Sequence, residues 1–181
     1  MRLLVVCLMW AGVAAAGPIA LNQWYEFGFD PNHTPNVSGC QPADPGGVPC
    51  RAGIGSVNLD APPWTFTAAT AVSLSITDAF LAGDSFSVFD LGTLVGSTPA
   101  VPLTPVSCGF DPSVCFIDPA FSHATRLLQS GSHSITINFR PAQIQGEGFF
   151  RLQSVPEPSY IVVIAAFVLV LGGGERLLRR A

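Results

Sequence analysis

The sequence predicts an all-β domain, an antiparallel β-sandwich, flanked by an N-terminal signal peptide and a single C-terminal transmembrane helix. Three observations carry this. Apolar residues in the middle of the chain recur with a period of two, as half-buried strands require. Gly, Pro and Asp clusters punctuate these runs at short intervals, the spacing of turns in a sandwich or barrel. The long apolar runs are confined to the two ends of the 181 residues, where they mean membrane targeting rather than core.

The first element is the leader, residues 1–16. Met1-Arg2 is a minimal charged start, Leu3 to Ala14 is apolar, and Ala14-Ala15-Ala16 offers the small residues a signal peptidase needs, so cleavage is expected after Ala16. A lipoprotein signal at Cys7 is the rival reading. It is disfavoured because Val6, not a small residue, precedes the cysteine and the apolar run continues past it.

Residues 17–154 form one domain-sized stretch. Although the whole chain is 49% hydrophobic and 11% charged, this interior holds four arginines, no lysine and ten acidic residues, six negative charges in excess. Such a balance argues against nucleic acid or an anionic lipid surface as partner. Val72, Leu74 and Ile76 alternate with Ser73, Ser75 and Thr77; Phe86 and Val88 alternate with Ser85 and Ser87; Ile135, Ile137 and Phe139 alternate with Ser134, Thr136 and Asn138. Further strands are expected at 24–29, 54–59, 64–67, 93–96 and 148–153. One helical segment is expected from Ala120 to Leu128, with Asp118 as cap, Pro119 at the first helical position and Gly131 closing it.

Four cysteines remain after the leader, an even number in an exported context, and Cys40 with Cys50 and Cys108 with Cys115 each bracket a loop rich in Pro, Gly and Asp. These local pairs are the favoured disulfides. Zinc is the alternative, but neither spacing is a CxxC knuckle and no histidine adjoins them.

The C-terminal element, residues 155–181, has three parts in order. Pro156-Glu157-Pro158 breaks regular structure and exposes the chain, because proline fixes φ and lacks an N–H. An apolar run from Tyr160 continues through the glycines to about 174, short for a span that typically needs about 20 residues. Arg176, Arg179 and Arg180 then favour the cytoplasmic side and stop transfer.

This order resembles the PEP-CTERM sorting signal of Gram-negative bacteria, over about the last 27 residues. The resemblance implies that Pro156, Glu157 and Pro158 are recognised by an exosortase, an integral-membrane cysteine transpeptidase-like enzyme, and that the chain is its substrate. It also implies an association with exopolysaccharide and biofilm, and a protein held transiently in the inner membrane before release or display. A permanent single-span anchor is the plain alternative. Residues 77–98, with 131–137 and 148–150, resemble a β-sandwich domain recurrent in PEP-CTERM proteins and, more remotely, CUB domains, so the expected sandwich is jelly-roll or CUB-like.

Functional residues in the middle are sparse. His33, His123 and His133 are the only histidines, and no Gly-x-Ser-x-Gly elbow, HExxH pair or phosphate loop is present, so no enzyme, cofactor or catalytic residue is expected. For His133, at the start of a strand, bonding to nearby backbone is the expected role. Asp78, Asp84 and Asp90 either cap turns, the favoured reading, or converge on calcium. Trp24, Tyr25 and Trp64 form either core or a sugar-stacking platform, core being favoured. Asn32 and Asn36 stand in Asn-x-Thr/Ser sequons. The function expected is a non-enzymatic surface or matrix protein, with a carbohydrate- or partner-binding module as alternative.

Overall fold

A computed structural model describes residues 19–140 and 144–155. The leader, with Ala14 and Ala16, and the tail, with Pro156, Glu157, Pro158, Arg176, Arg179 and Arg180, lie outside the described residues. Among the described residues no helix is long and apolar enough to cross a membrane.

Among the described residues the domain is all-β with one short α-helix and a 3-10 turn at Pro31–His33. Its elements are β1 (Trp24–Phe29), β2 (Ser56–Asn58), β3 (Trp64–Ala68), β4 (Val72–Asp78), β5 (Phe80–Leu81), β6 (Ser85–Asp90), β7 (Thr93–Ser97), β8 (Ser107–Gly109), α1 (Pro112–Ile117), β9 (His123–Leu128), β10 (Gly131–Arg140) and β11 (Gly146–Ser154). A five-stranded sheet runs β2-β1-β11-β4-β9 and a four-stranded sheet β3-β10-β6-β7; β5 and β8 pair separately. All ladders are antiparallel except β1 with β2, which is parallel, a departure from the expected all-antiparallel sheet. The physical reason is the long excursion from Phe29 to Ser56, since only a long connection can return a strand in the same direction.

The alternation read from the sequence sets which face meets the core. Tyr25, Phe27 and Phe29 of β1, Val72, Leu74 and Ile76 of β4, and Phe150 and Leu152 of β11 point inward. They meet Trp64, Phe86, Val88, Ile135, Ile137 and Phe139 from the other sheet in one buried cluster. Aromatic contacts bind the two layers, with Phe27 edge-on to Phe86 at 5.2 Å and Phe29 stacked on Phe139 at 4.3 Å between ring centroids. Gly148 is demanded here, because a Cβ at that position would collide with the Phe27 ring.

Burial continues on the outer face of the five-stranded sheet. Trp24 and Phe149 project outward, yet they pack with Ala79, Ala82, Phe121 and the cysteines 108 and 115 in a second cluster. The β5–β8 ribbon, α1 and their disulfide therefore form a third layer over this sheet. That cover over Trp24, with the 40–56 stretch lying over Glu26 and Gly28, explains why all six residues of β1 are buried.

The helical expectation for residues 120–128 is wrong. Residues His123–Leu128 are strand β9, paired with β4 from Thr77 to Val72. The open edge of β4 supplies ladder partners for that segment, and the sheet places Leu128 in the core while Ser75 and Thr125 bond across it. The Asp-Pro signal was sound in kind but occurs four times, at 30–31, 44–45, 111–112 and 118–119: the α-helix starts at Asp111-Pro112, where the Asp111 carboxylate accepts from Ser113 N at 2.8 Å. Asp118 instead ends that helix, its N–H donating to Val114 O.

Candidate functional site

Both favoured disulfides are formed, Cys40–Cys50 with Cα atoms 5.4 Å apart and Cys108–Cys115 with 5.0 Å. The Cys40–Cys50 bridge closes a ring within the long β1–β2 excursion, its Cys50 sulfur lying over Gly28 of β1, and beside it lies a cavity of about 410 Å³. Val48, Pro49, Ala79, Phe80 and Leu81 supply its apolar wall. Asp30, Arg51, Asp84, Gln145 and Glu147 supply its polar one.

The cavity lies at one pole of the sandwich. Phe29 at the end of β1 pairs with Gly146 at the start of β11, and Asp78 at the end of β4 pairs with Gly148. Both described termini lie at the opposite pole, where Leu21 bridges Leu152 and Val155 N donates to Ala71 O. The nine residues of β11 separate the two poles by roughly 25–30 Å at about 3.3 Å per residue.

Two pairs of carboxyl groups flank this cavity, with Asp84 and Glu147 lining it. Behind Asp84, Asp78 is fully buried; its Oδ1 accepts from Ala79 N and its Oδ2 from Gly83 N and Asp84 N. Burial, reinforced by the Asp84 charge, pushes Asp78 up to about 8 against the pull of those three N–H groups. Asp78 thus uses its oxygens on its own loop, as turn chemistry predicts.

Behind Glu147, Glu26 is fully buried on β1. Its Oε2 accepts from Gly53 N at 3.0 Å and Ser56 Oγ at 2.9 Å, while Glu147 Oε1 accepts from Arg51 N at 3.0 Å. The remaining oxygens, Glu26 Oε1 and Glu147 Oε2, are buried with no hydrogen-bond partner, and the two carboxyl groups are near enough for Glu26 to oppose ionisation of Glu147. Burial, then the neighbouring Glu26 carboxyl, pushes Glu147 up to about 8. Sequence reasoning passed over both glutamates. The available signal was Trp24 on the same strand face as Glu26, since a large apolar residue on an outer face marks that face as covered.

At the rim, burial works to raise Asp30, but the His33 ring and the Asn32 N–H outweigh it and hold the carboxyl below its ordinary range. His33 Nδ1 lies 2.7 Å from Asp30 Oδ1 and Nε2 lies 3.1 Å from Gly46 O. At the opposite pole His133 Nδ1 lies 2.7 Å from Asp90 Oδ2 and Nε2 lies 2.9 Å from Gln129 O. Both nitrogens of each ring face oxygen acceptors, so neither ring offers a base to a hydroxyl nucleophile. His123 Nδ1 is bound to Phe121 O.

The structure does not bring Asp78, Asp84 and Asp90 together, because Asp90 binds Ser134 N and His133 at the far end of β6. Among the described residues one group is dense enough for a metal, a Glu26 oxygen with the sulfurs of Cys40 and Cys50 within 4.8 Å. Those sulfurs are joined in the disulfide and are not thiolates. Trp64 and Tyr25 are core, and the Trp64 indole N–H bonds Asp60 O at 2.9 Å. Trp24 lies in the second cluster beneath the Arg151 guanidinium, 4.4 Å from its ring centroid, so the three aromatics form no common surface platform. Asn32 and Asn36 are exposed. Comparison with protein-family models, curated proteins and solved structures finds no match to this chain.

Proposed function

We propose that the chain is a non-enzymatic exported protein of the cell envelope or extracellular matrix, sorted through Pro156-Glu157-Pro158 by an exosortase and linked to exopolysaccharide or biofilm. In this reading signal peptidase removes the leader after Ala16, the apolar tail holds the product transiently with Arg176, Arg179 and Arg180 in the cytoplasm, and the sandwich is of the jelly-roll or CUB-like kind. The observation that carries the exported setting is the pair of disulfides, Cys40–Cys50 and Cys108–Cys115, since such bonds persist in oxidising compartments. Intact-mass analysis from an exosortase-bearing host tests the sorting: wild type should lose its C-terminal segment and Glu157→Ala should keep it. An uncleaved tail in both would sink the proposal and leave a simple anchored protein.

A second reading, a carbohydrate- or partner-binding module, is favoured by the polar placement of the cavity. A tail leaving from Val155 tethers the pole remote from the cavity, so the cavity of an anchored domain faces outward. A glycan array tests it, with binding expected to fall on Phe80→Ala, which strips the apolar wall. No glycan retained, or retention unchanged by that substitution, would refute it for carbohydrate.

A further inference from the structure

We infer that Glu26 and Glu147 form a proton-dependent clasp, in which one shared proton holds the segment 51–56 closed against the five-stranded sheet and its loss releases that wall of the cavity.

The inference starts from the two orphaned oxygens. Glu26 Oε1 and Glu147 Oε2 are buried, and neither has an N–H or hydroxyl donor. Two carboxylates in contact away from water repel one another, whereas a carboxyl and a carboxylate satisfy both oxygens with one O–H···O bond. The arrangement is therefore complete only when the pair carries one proton.

The opposite oxygens of the same two groups hold the segment. Arg51 N is bound by Glu147 Oε1, Gly53 N by Glu26 Oε2, and Ser56 Oγ by Glu26 Oε2. The two ends of this stretch are fixed independently, Cys50 by its disulfide and Ser56 by its pairing with Trp24 in β1. Between them, Ile54 N donates to Phe110 O, Gln23 Nε2 to Gly55 O and Ser56 to Gly53 O, while Arg51 N and Gly53 N are held by the clasp alone.

Among the described residues the charged and titratable groups facing Glu147 are few. They are Glu26 on β1, Arg51 on the segment itself, and Asp30 and Asp84 across the cavity. Glu26 opposes ionisation of Glu147, while the Arg51 charge and its N–H favour it; burial and Glu26 prevail, and the group rises to about 8. Glu26 is sealed at 0% exposure and Glu147 is half-buried. On losing the proton, Glu147 is accordingly the member that moves toward solvent, and the bond to Arg51 N goes with it.

The clasp is independent of the sorting route and of any cavity ligand. The test is hydrogen exchange of the full chain in detergent, read on peptides covering 51–56 and corrected for the intrinsic pH dependence, from pH 6 to 9.5. Protection in wild type should fall as pH rises from 6, by up to about tenfold per pH unit for an opening linked to one proton, and level off above about 8, where the closed form has lost that proton too. Glu147→Gln, whose amide NH₂ replaces the shared proton toward Glu26, should hold that protection level over the same range. Wild-type protection that does not change, or an equal fall in Glu147→Gln, overturns the clasp. A carbon-13 carboxyl titration of wild type keeps the test decisive should the variant misfold: a midpoint near 8 for Glu147 supports the shared proton, and one in the ordinary glutamate range refutes it.

Discussion

Replacing Cys108 and Cys115 together by alanine tests whether the outer layer is stapled to a sandwich that stands without it. The bridge closes a short loop, with a sequence separation of 7. The chain-entropy relation for a ring of that size gives about 2.5 kcal/mol at 25 °C, lost when the cross-link is removed. Both residues are buried against Trp24 and Phe149, so alanine leaves no unsatisfied hydroxyl and the entropic part should dominate. With urea slopes of about 1–3 kcal/mol per molar, the unfolding midpoint of the double variant should fall by about 1–2 M. Circular dichroism reads the global transition, and acrylamide quenching distinguishes the layers. Trp24 lies under the stapled cover and Trp64 in the main core, so added quenching below the transition should come from the former. A midpoint unchanged within error would mean that the cover is held by packing alone. A loss well above 5 kcal/mol would mean that the sandwich does not stand without its third layer, against the separation of the two clusters.

The same physics yields three further expectations. Trp64→Ala should cost about 3–5 kcal/mol in denaturant melts, since the indole fills the space between Phe27 and Phe150 at the centre of the core; a folded variant that merely loses a ligand would contradict this. Gly148→Ala should destabilise by about 1–3 kcal/mol through overlap with the Phe27 ring, again read as a denaturant midpoint, and a neutral effect would show that the facing sheet yields freely. For Asp78, the unfolded group ionises near 3.8 and the folded one near 8, so the folded state binds more protons between these limits. Its contribution is greatest below about pH 4, declines as pH rises to about 8 and is level above. Urea midpoints across that window should show the decline in wild type and less of it in Asp78→Asn, which also loses an acceptor for its loop; a steeper rise with pH in wild type would reverse the argument.

Much of the fold was legible because a single rule governs it. Period-two alternation placed β4, β6 and β10, and the aromatic and apolar runs marked β1, β3, β7 and β11 to within two residues. Local cysteine pairing was legible for the same reason, each pair bracketing one turn-rich loop. The strand at 123–128 was not, since Ala, Arg and Leu suit a helix and only the open edge of β4 made it a strand. The candidate site was least legible of all. Its residues come from Asp30, Arg51, Asp84 and Glu147, four separate stretches that meet only at one pole of the sheet.

What the sequence determined by itself was therefore whatever depends on near neighbours: the class of fold, the inward face of each long strand, and the disulfides. What only the tertiary structure decided was which carboxyl groups lose water and meet. Glu26 sits in an alternating strand where a charged residue ordinarily faces solvent, and the returning chain at Gly53 and Ser56 covers it beside Glu147. Burial is a property of what covers a residue, and the cover here comes from chain tens of residues away.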